Sequence, residues 1–214
     1  GYDFYIMQYD VQGYYKNMRH DVATVSFERK LPPGILKRTT DVLGTQYEGD
    51  IGYNPGSQMV QIAGISFLDK FDHFVKETLR RKEYMRYMDD FFIIGKTEEE
   101  LQSVLVDIQK YLSFIGLTAH PKKTRIFHQK SKMKVLGFSF YVMKTGKVIM
   151  QIDPKNIKDR RKNIYRCAQL VKAGKMTRAK ADELFTSWLA HATKGDNPHA
   201  IERIKKYYLQ CMEG

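Results

Sequence analysis

The feature that most constrains the fold is the stretch EYMRYMDDFFIIG, which runs from Glu83 to Gly95. Tyr84 to Met88 and Phe91 to Ile94 are strand-like runs of aromatic and aliphatic residues, and only two adjacent aspartates separate them. Two such runs joined by a short polar step predict a tight β-hairpin. We therefore expect Asp89 and Asp90 to lie at the turn of a hairpin in an antiparallel sheet.

The paired aspartates of this hairpin need a positive charge nearby. Two adjacent carboxylates repel each other by roughly 1 to 4 kcal/mol, and the apolar flanks lower the local dielectric. Lysine or arginine could compensate, but divalent cations bound by carboxylate oxygens are the stronger candidate. Asp10 follows the strand-like run Phe4 to Tyr9 and could supply a third carboxylate if the strands are neighbours. The alternative is a solvated turn without chemistry.

The charge balance points to a polyanionic partner. The chain of 214 residues carries 36 Lys and Arg against 24 Asp and Glu, a net charge of +12, and 43% hydrophobic residues are enough for a core. Nucleic acid is the first candidate; an acidic membrane surface is the second, but no apolar run approaches the ~20 residues of a spanning helix. The cysteines, Cys167 and Cys211, are too few for a disulfide framework or a cysteine-based zinc site. We expect a cytoplasmic protein.

The order of elements is readable from apolar spacing, caps and breakers. Helices are expected at His20 to Lys30, at 34–47, from the loop EGDIGYNPGSQ to about Arg81, and from the capping box at Thr97 to a stop at Gly116. Strands are expected at Arg125 to Gln129, Lys134 to Met143 and Lys147 to Ile152, the last two joined by KTGK. Asp153-Pro154 and Asn197-Pro198 each read as an N-cap before a first-turn proline, so 153–212 should form three helices, with a boundary near 152.

Several stretches, in order along the chain, resemble the conserved blocks of reverse transcriptases. YMDD between apolar strands resembles the catalytic hairpin, and IMQYDVQGYYKNM resembles the first block of the palm. GYNPGSQMVQIAGISFLDKFDHFVKE, GLTAHPKKT and VLGFSFYV resemble the blocks that contact the template and nucleotide, the triphosphate and the primer end. The pattern is most similar to bacterial enzymes of retrons, diversity-generating retroelements and group II introns.

This resemblance implies an RNA-directed DNA polymerase of the α+β class. The implied palm, over residues 1–152, is a ferredoxin-like antiparallel sheet with helices on one face. A helical, thumb-like segment would occupy 153–214. Because the chain enters a strand within its first residues, we expect that it begins inside the palm and that most of the fingers region is absent.

The resemblance also implies a metal site and a group that serves the triphosphate. Asp10 and Asp89 would be the principal ligands of two Mg²⁺ or Mn²⁺ ions, with Asp90 supporting the charge or binding the second ion, and Val11 completing the site. Lys122 and Lys123 are candidates for stabilising or protonating the departing pyrophosphate. The sequence does not choose between the two lysines, and a basic surface loop is the alternative.

The implied nucleotide contacts come from the first two blocks. Tyr15 would be a steric gate beneath the sugar that favours deoxynucleotides, although either Tyr14 or Tyr15, and not both, can face the site. Gly52 and Gly56 would allow close approach of the backbone to the template and nucleotide, or would simply form a turn. Gln61 would face the nucleotide or template, or would be an ordinary surface glutamine.

The implied contacts with the template and primer lie further along the chain. Leu136, Gly137 and Phe138 would form a primer-grip hairpin, unless that hairpin is purely structural. Between 155 and 180 there are ten Lys or Arg residues and one acid, Asp159, which suggests a helix face for the nucleic-acid backbone or a solvated surface. The candidate backbone contacts are Lys155, Lys158, Arg161, Lys162 and Arg166.

The expected partners are an RNA template, a DNA or RNA primer and deoxynucleoside triphosphates, and no membrane. A structured retroelement RNA or an accessory protein is a further candidate partner. Two other functions fit the same palm. One is a catalytically silent module that binds nucleic acid or serves as a scaffold, and the other is an RNA-directed RNA polymerase.

Overall fold

The structure, a computed structural model, describes residues 3–28 and 30–213. These residues divide into two compact units, an N-terminal unit of residues 3–128 and a C-terminal unit of residues 129–213. The strands are β1 (Tyr5–Asp10), β2 (Tyr84–Tyr87), β3 (Asp90–Gly95), β4 (Arg125–His128), β5 (Met133–Val135), β6 (Phe138–Val142) and β7 (Val148–Ile152). The helices are α1 (Tyr14–Asn17), α2 (His20–Glu28), α3 (Pro33–Gln46), α4 (Gln58–Phe67), α5 (Asp69–His73), α6 (Glu98–Phe114), α7 (Pro154–Lys172), α8 (Arg178–Ala192) and α9 (Pro198–Glu213).

The N-terminal unit is built on an antiparallel sheet in the order β2-β3-β1-β4. With helices before β2 and between β3 and β4, this is the ferredoxin-like arrangement that the sequence predicted. Alternate strand residues, including Met7, Tyr9, Phe91 and Ile93, are completely buried in one cluster with apolar residues of the helices. The helices therefore cover one face of the sheet, and Asp10 and Asp90 belong to the opposite face because they alternate with these core positions.

The helices of this unit begin and end close to the predicted residues. The Thr97 hydroxyl accepts a hydrogen bond from the Glu100 amide at 3.1 Å, which caps α6, and Gly116 ends that segment with a φ of 84°. The helical stretch predicted up to Arg81 is present as α4 and α5, followed by a π-helical turn at Phe74–Thr78. The end of the predicted helix near Lys30 borders residue 29, which lies outside the described residues.

The C-terminal unit combines a small antiparallel sheet, β5-β6-β7, with three helices. The continuous strand predicted from Lys134 to Met143 was wrong. Leu136 and Gly137 have φ values of 48° and 83°, and Val135 pairs with Phe138, so a tight hairpin separates β5 from β6. The apolar pattern misses this turn because Leu136 extends the apolar run, although the family resemblance had implied a hairpin at Leu136 to Phe138.

The predicted helices of residues 153–212 are present as α7, α8 and α9. The Asp153 carboxylate accepts a hydrogen bond from the Lys155 amide at 2.8 Å, and Pro154 occupies the first helical position. Phe138 and Ile152 share a buried cluster with Ile164, Trp188 and other helix residues, so the small sheet packs with the helices. The assignment of 1–152 to a palm and 153–214 to a thumb-like segment stays a prediction. No helix among the described residues is both long enough and apolar enough to cross a membrane.

Candidate active site

Two of the three predicted acids meet across neighbouring strands. Asp10 is the last residue of β1, Asp90 is the first of β3, and the two are directly paired in the antiparallel register. Side chains paired in this way project from the same face with Cβ atoms about 5 Å apart. Asp10 is buried, with 6% of its surface exposed. The β1–β3 pairing therefore brings together two acids that are far apart in the sequence.

Asp89 lies beside them in a turn with unusual backbone geometry. Tyr87 pairs with Asp90, so Met88 and Asp89 alone connect β2 to β3. Met88 has a φ of 57°, in the left-handed region that normally favours glycine. Such a conformation costs a non-glycine residue about 1 to 2 kcal/mol. The turn that carries Asp89 is therefore held in place by surrounding contacts.

Arg86 provides that support. One of its terminal nitrogens donates a hydrogen bond to the Met88 carbonyl at 2.9 Å, and another donates to the Ile65 carbonyl at 3.2 Å. The guanidinium also forms a bidentate pair with Asp72, at 2.7 and 2.5 Å, and the Tyr84 hydroxyl donates to the same carboxylate at 2.5 Å. This Arg86 clamp joins the turn to α4 and α5.

The Arg86 clamp is a part of the site that the sequence reasoning missed. The one available signal was the position of Arg86 two residues after Tyr84 in the same strand. Both side chains therefore lie on the sheet face that the helices cover. Burial alone would lower the pKa of Arg86, but hydrogen bonds and the charge of Asp72 outweigh it and raise that pKa. The guanidinium therefore remains charged in a site where only 12% of its side-chain surface is exposed.

The electrostatics of the acids reflect crowding of like charge. The pKa of Asp90 is raised to about 7, first by burial and then by the hydrogen bond and charge of Asp10 and the charge of Asp89. Burial, followed by the charge of Asp10, also raises the pKa of Asp89. The charges of Asp10 and Asp89 thus disfavour ionisation of Asp90, and the charge of Asp10 disfavours ionisation of Asp89; a bound cation would relieve both effects.

Lys123 is the cation that the structure brings to these acids. Its ammonium group lies 2.8 Å from an Asp10 carboxylate oxygen, and this hydrogen bond raises the pKa of Lys123. Lys122 is exposed, and its backbone amide donates a hydrogen bond to the His120 ring at 3.3 Å. Of the two lysines that the sequence left open, Lys123 is therefore the one that contacts the acids.

The fit of this site to a metal rests on the donor set. Among the described residues, no three His, Cys, Asp or Glu side chains are arranged so that they could hold a metal ion as they stand. The three carboxylates nevertheless offer the hard oxygen donors that Mg²⁺ prefers. Burial and neighbouring negative charge raise the pKa values of Asp89 and Asp90. The Val11 side chain is a hydrocarbon, so only its main-chain oxygen could contribute. The chemistry of the donors thus fits a divalent cation.

The two tyrosines of the first block have separate environments. Tyr14 is buried, and its hydroxyl donates a hydrogen bond to the Gly64 carbonyl at 2.6 Å. Tyr15 is partly exposed, and its pKa is raised by burial and then by the charge of Asp89. A Cβ atom at Gly64 would lie 2.8 Å from the Tyr15 hydroxyl oxygen, so the ring rests directly on this part of α4. The charge of Asp89 also raises the pKa of Tyr14, but Tyr14 is buried, so Tyr15 is the one of the two that a ligand beside the acids could reach.

The second block supplies exposed residues near the start of α4. Gln61 is exposed on α4, and the Ser57 side chain caps that helix by accepting a hydrogen bond from the Val60 amide. Gly56 is exposed, and an added Cβ would meet nothing within 4 Å. Gly52 has a φ of 97° and would place a Cβ 3.1 Å from the Lys16 carbonyl oxygen, so it is required by local packing. Nothing in the described residues brings Gly56 against another part of the site.

Comparison with known proteins decides the family. The family model described as reverse transcriptase (RNA-dependent DNA polymerase) matches residues 3–140. The chain belongs to the reverse transcriptase family. No curated protein matches the chain.

Two telomerase structures share the fold of this reverse transcriptase chain. One is apo telomerase from Candida tropicalis, truncated from its C-terminal domain, with 16% identity and a TM-score of 0.52 over 68% of this chain and 35% of that chain. The other is telomerase from Candida albicans in complex with a fragment of telomeric RNA, with 12% identity and a TM-score of 0.55 over 98% of this chain and 40% of that chain. The chain thus spans well under half the length of either structure, and at these identities the likeness is one of fold.

The remaining predicted residues of this reverse transcriptase lie in the C-terminal unit. Leu136 and Gly137 form the β5–β6 turn, where Leu136 is 55% exposed and Phe138 is buried. The Gly137 carbonyl accepts hydrogen bonds from the Asp153 amide at 2.9 Å and from the Asn156 side chain at 3.3 Å. The turn is thus fixed to the start of α7. The five predicted backbone contacts are all exposed on α7: Lys155, Lys158, Arg161, Lys162 and Arg166.

Proposed function

We propose that this chain is the catalytic part of an RNA-directed DNA polymerase, which joins a primer 3′-hydroxyl to a deoxynucleoside triphosphate. The observation that carries the proposal is the β1–β3 register, which pairs Asp10 with Asp90 beside the turn of Asp89. Family membership supports the reaction type. The scaffold alternative gains nothing from this arrangement, because adjacent carboxylates repel one another unless a cation offsets their charge, and the pKa values of Asp89 and Asp90 are raised.

The cofactor in this proposal is a pair of Mg²⁺ or Mn²⁺ ions. Asp10 and Asp89 would be the main ligands, with Asp90 and the Val11 main-chain oxygen beside them. Two such ions would favour deprotonation of the attacking hydroxyl and stabilise the charge on the leaving oxygen. The Asp10 carboxylate already contacts the Lys123 ammonium at 2.8 Å. A metal ion bound at Asp10 would be an alternative cationic partner to Lys123.

The protein's own side chains would select and orient the nucleotide. The Tyr15 ring, fixed against Gly64, would lie below the sugar and exclude a 2′-hydroxyl. Lys123 would stabilise or protonate the departing pyrophosphate, since an ammonium close to a triphosphate is favourable and can donate a proton. Gln61 would contact the nucleotide or template from α4, and Gly56 the nucleotide from the preceding loop.

The nucleic acid in this proposal is an RNA template paired with a DNA or RNA primer. The β5–β6 hairpin at Leu136 to Phe138 would hold the primer end, and the basic residues of α7 would contact the backbone without reading sequence. We further propose a bacterial retroelement type, located in the cytoplasm, with a structured RNA or an accessory protein as a further partner. The motif pattern supports this lineage.

Primer extension tests the reaction. With an RNA template, a DNA primer, deoxynucleotides and Mg²⁺, Asp89→Asn should reduce the rate at least about a hundred-fold, because it removes one charged ligand. Asp107→Asn, an exposed acid on α6, is the matched control and should retain the wild-type rate. Equal rates for Asp89→Asn and Asp107→Asn would exclude the proposal.

Calorimetry separates a polymerase from a scaffold without requiring turnover. Mn²⁺ should bind the wild-type chain and bind Asp89→Asn far more weakly, with Asp107→Asn unchanged. Binding that is absent, or that does not depend on Asp89, would favour the silent module.

The sugar of the substrate separates a DNA polymerase from an RNA polymerase. Tyr15→Ala should increase ribonucleotide incorporation, because the ring would no longer fill the space below the sugar. Tyr14→Phe, which removes only a buried hydroxyl, is the control and should preserve discrimination. Wild-type incorporation of ribonucleotides in preference to deoxynucleotides would identify an RNA polymerase.

A further inference from the structure

Side chains of two helices hold the β5–β6 turn. Leu136 and Gly137, the two residues of the turn, have φ values of 48° and 83°. A left-handed conformation is unfavourable for a residue with a Cβ atom, so Leu136 needs contacts that keep it there. The Gly137 carbonyl accepts a hydrogen bond from Asn156 on α7, and the Leu136 carbonyl accepts one from His191 on α8. Both carbonyl groups of the turn are therefore restrained from the helices.

Asn156 approaches the turn so closely that only glycine fits opposite it. The Asn156 amide nitrogen donates to the Gly137 carbonyl oxygen at 3.3 Å. A Cβ atom at residue 137 would lie 2.6 Å from that nitrogen. The Asp153 backbone amide donates to the same carbonyl at 2.9 Å. The start of α7 thus holds Gly137 through two donors.

Trp188, the single tryptophan of the chain, determines which way the Asn156 amide faces. It lies on α8, is 6% exposed, and its indole N–H donates to the Asn156 side-chain oxygen at 3.2 Å. An indole nitrogen can only donate, so it selects the orientation in which the amide oxygen faces it. Rotating that amide by half a turn would lose the hydrogen bonds to both Trp188 and Gly137. Trp188 therefore acts on the turn through Asn156.

His191 lies one helical turn after Trp188, on the same face of α8. Its Nε2 atom is 3.2 Å from the Leu136 carbonyl oxygen. A carbonyl oxygen can only accept, so Nε2 carries the hydrogen of this bond. The His191 ring also packs on the Phe138 ring, with centroids 4.7 Å apart. His191 thus contacts the residues on both sides of Gly137.

The residues of the turn explain why it needs this support. A two-residue hairpin turn with both φ values positive forms readily from Asn-Gly or Asp-Gly. This chain has Leu136 at the first position instead, and that residue is 55% exposed. A strained residue at an exposed tip, held by contacts from other elements, is typical of functional positions.

We propose that Asn156, Trp188 and His191 are positioning residues for the primer end. They hold the β5–β6 turn in one conformation before the primer arrives, so the turn does not have to be ordered when the primer binds. This role rests on the proposed function, in which Leu136 to Phe138 hold the primer end. Asn156 and His191 act by contact with the turn, and Trp188 acts at one remove.

A fluorescent primer end tests the proposal without turnover. The whole chain is added to an RNA template–DNA primer duplex that carries 2-aminopurine at the primer 3′ end, without metal or nucleotide. The wild type should change the fluorescence of this base, and Trp188→Phe should at least halve that change. Affinity for the duplex, measured by anisotropy, should stay within about two-fold, because phosphate contacts supply most of it. A wild type that leaves the fluorescence unchanged would overturn the proposal.

Tyr208→Phe is the matched control for Trp188→Phe. It removes one hydrogen bond, from the Tyr208 hydroxyl to Asp182, in the same buried cluster as Trp188 and away from the turn. It should retain the wild-type change in fluorescence. Equal losses in the two variants would show a general effect of packing and would overturn the positioning role.

His191 allows a test by conservative rescue. His191→Gln can still present an N–H to the Leu136 carbonyl, whereas His191→Leu keeps an apolar contact with Phe138 and donates nothing. In primer extension, His191→Leu should lower kcat about ten-fold with the KM for the duplex nearly unchanged, because the primer end is bound but misaligned. His191→Gln should recover most of the loss. Equal values of kcat in the two variants would assign His191 to packing and contradict the proposal.

Amide hydrogen exchange separates this proposal from that of the polymerase. Exchange at Leu136 and Gly137 should be faster in Trp188→Phe than in the wild type, and unchanged exchange would overturn the inference. Asp89→Asn should give wild-type exchange and wild-type primer-end fluorescence. These responses without any primer extension by the wild type would reject the polymerase reaction alone, whereas a wild-type kcat in Trp188→Phe would reject the positioning role alone.

Discussion

Replacing Arg86 by methionine tests how far the catalytic turn depends on buried support. The substitution keeps most of the side-chain length but removes the donors to the Met88 and Ile65 carbonyls and both bonds to Asp72. Among the described residues, the Tyr84 hydroxyl would then be the one remaining donor to the Asp72 carboxylate. The turn would lose its restraint, and a partly buried negative charge would lose its main partner.

The size of the loss follows from the burial of the two partners. Removing one member of a fully buried ion pair costs about 3 to 5 kcal/mol. The Arg86 side chain is 12% exposed and that of Asp72 is 32% exposed, so water partly compensates the remaining carboxylate. We expect a loss of about 2 to 3 kcal/mol. With a urea slope of about 2 kcal/mol per molar, the unfolding midpoint should fall by about 1 to 1.5 M.

Asp72→Asn separates stability from positioning. This variant also breaks the ion pair, but it leaves Arg86 able to donate to the Met88 carbonyl. Both variants should therefore lose stability, measured by circular dichroism in urea, whereas Mn²⁺ binding and primer extension at low temperature should fall much more in Arg86→Met. Arg86→Lys should restore little, because one ammonium cannot reproduce the planar fork. Arg86→Met with wild-type Mn²⁺ affinity, or with an unfolding midpoint unchanged within about 0.2 M, would refute this reasoning.

Three further predictions concern the same site. Met88→Gly should leave the free energy of unfolding in urea unchanged or raise it by up to about 1 kcal/mol, because glycine relieves the left-handed strain. Met85→Gly, in the extended strand β2, should lower the free energy of unfolding by about 1 kcal/mol. A change of the same sign in both variants would show that Met88 is not strained. Without metal, the raised pKa of Asp90, about 7, means that this residue's contribution to stability is most favourable below the ordinary carboxyl range and is lost as the pH rises through about 7. Asp90→Asn should remove that fall in thermal melts with a chelator, and an unchanged pH profile would count against the shift. Gly64→Ala should displace the Tyr15 ring and change the ratio of ribonucleotide to deoxynucleotide incorporation, and an unchanged ratio would show that the ring does not depend on α4.

The hairpin was predictable from the sequence, whereas its internal support was not. Two strand-like runs around Asp89 and Asp90 leave room only for a tight turn, so the local pattern was sufficient. The local pattern could not show that β1 pairs with β3 of this hairpin, because the two strands are about eighty residues apart in sequence. Family motifs supplied that long-range information, and spacing alone did not.

Long-range contacts account for what the sequence did not reveal. The partners of Arg86 come from α4, α5 and the adjacent turn, and no local rule connects Asp72 with a strand arginine. Met88 has a positive φ, which methionine normally avoids, and contacts made by the surrounding structure hold it in this conformation. The choice of Lys123 over Lys122 likewise depends on where Asp10 lies in the sheet.

The pairing of Asp10 with Asp90 restricts the insertions and deletions that the gene can tolerate. Because side chains alternate between the two faces of a strand, losing one residue within β1 would turn Asp10 towards the helix-covered core and bring Tyr9 to the open face. A deletion in β3 that displaced Phe91 would have the corresponding effect on that strand. The loop before α4 has no such periodicity, so length variation among relatives should collect there and be absent from the two paired strands.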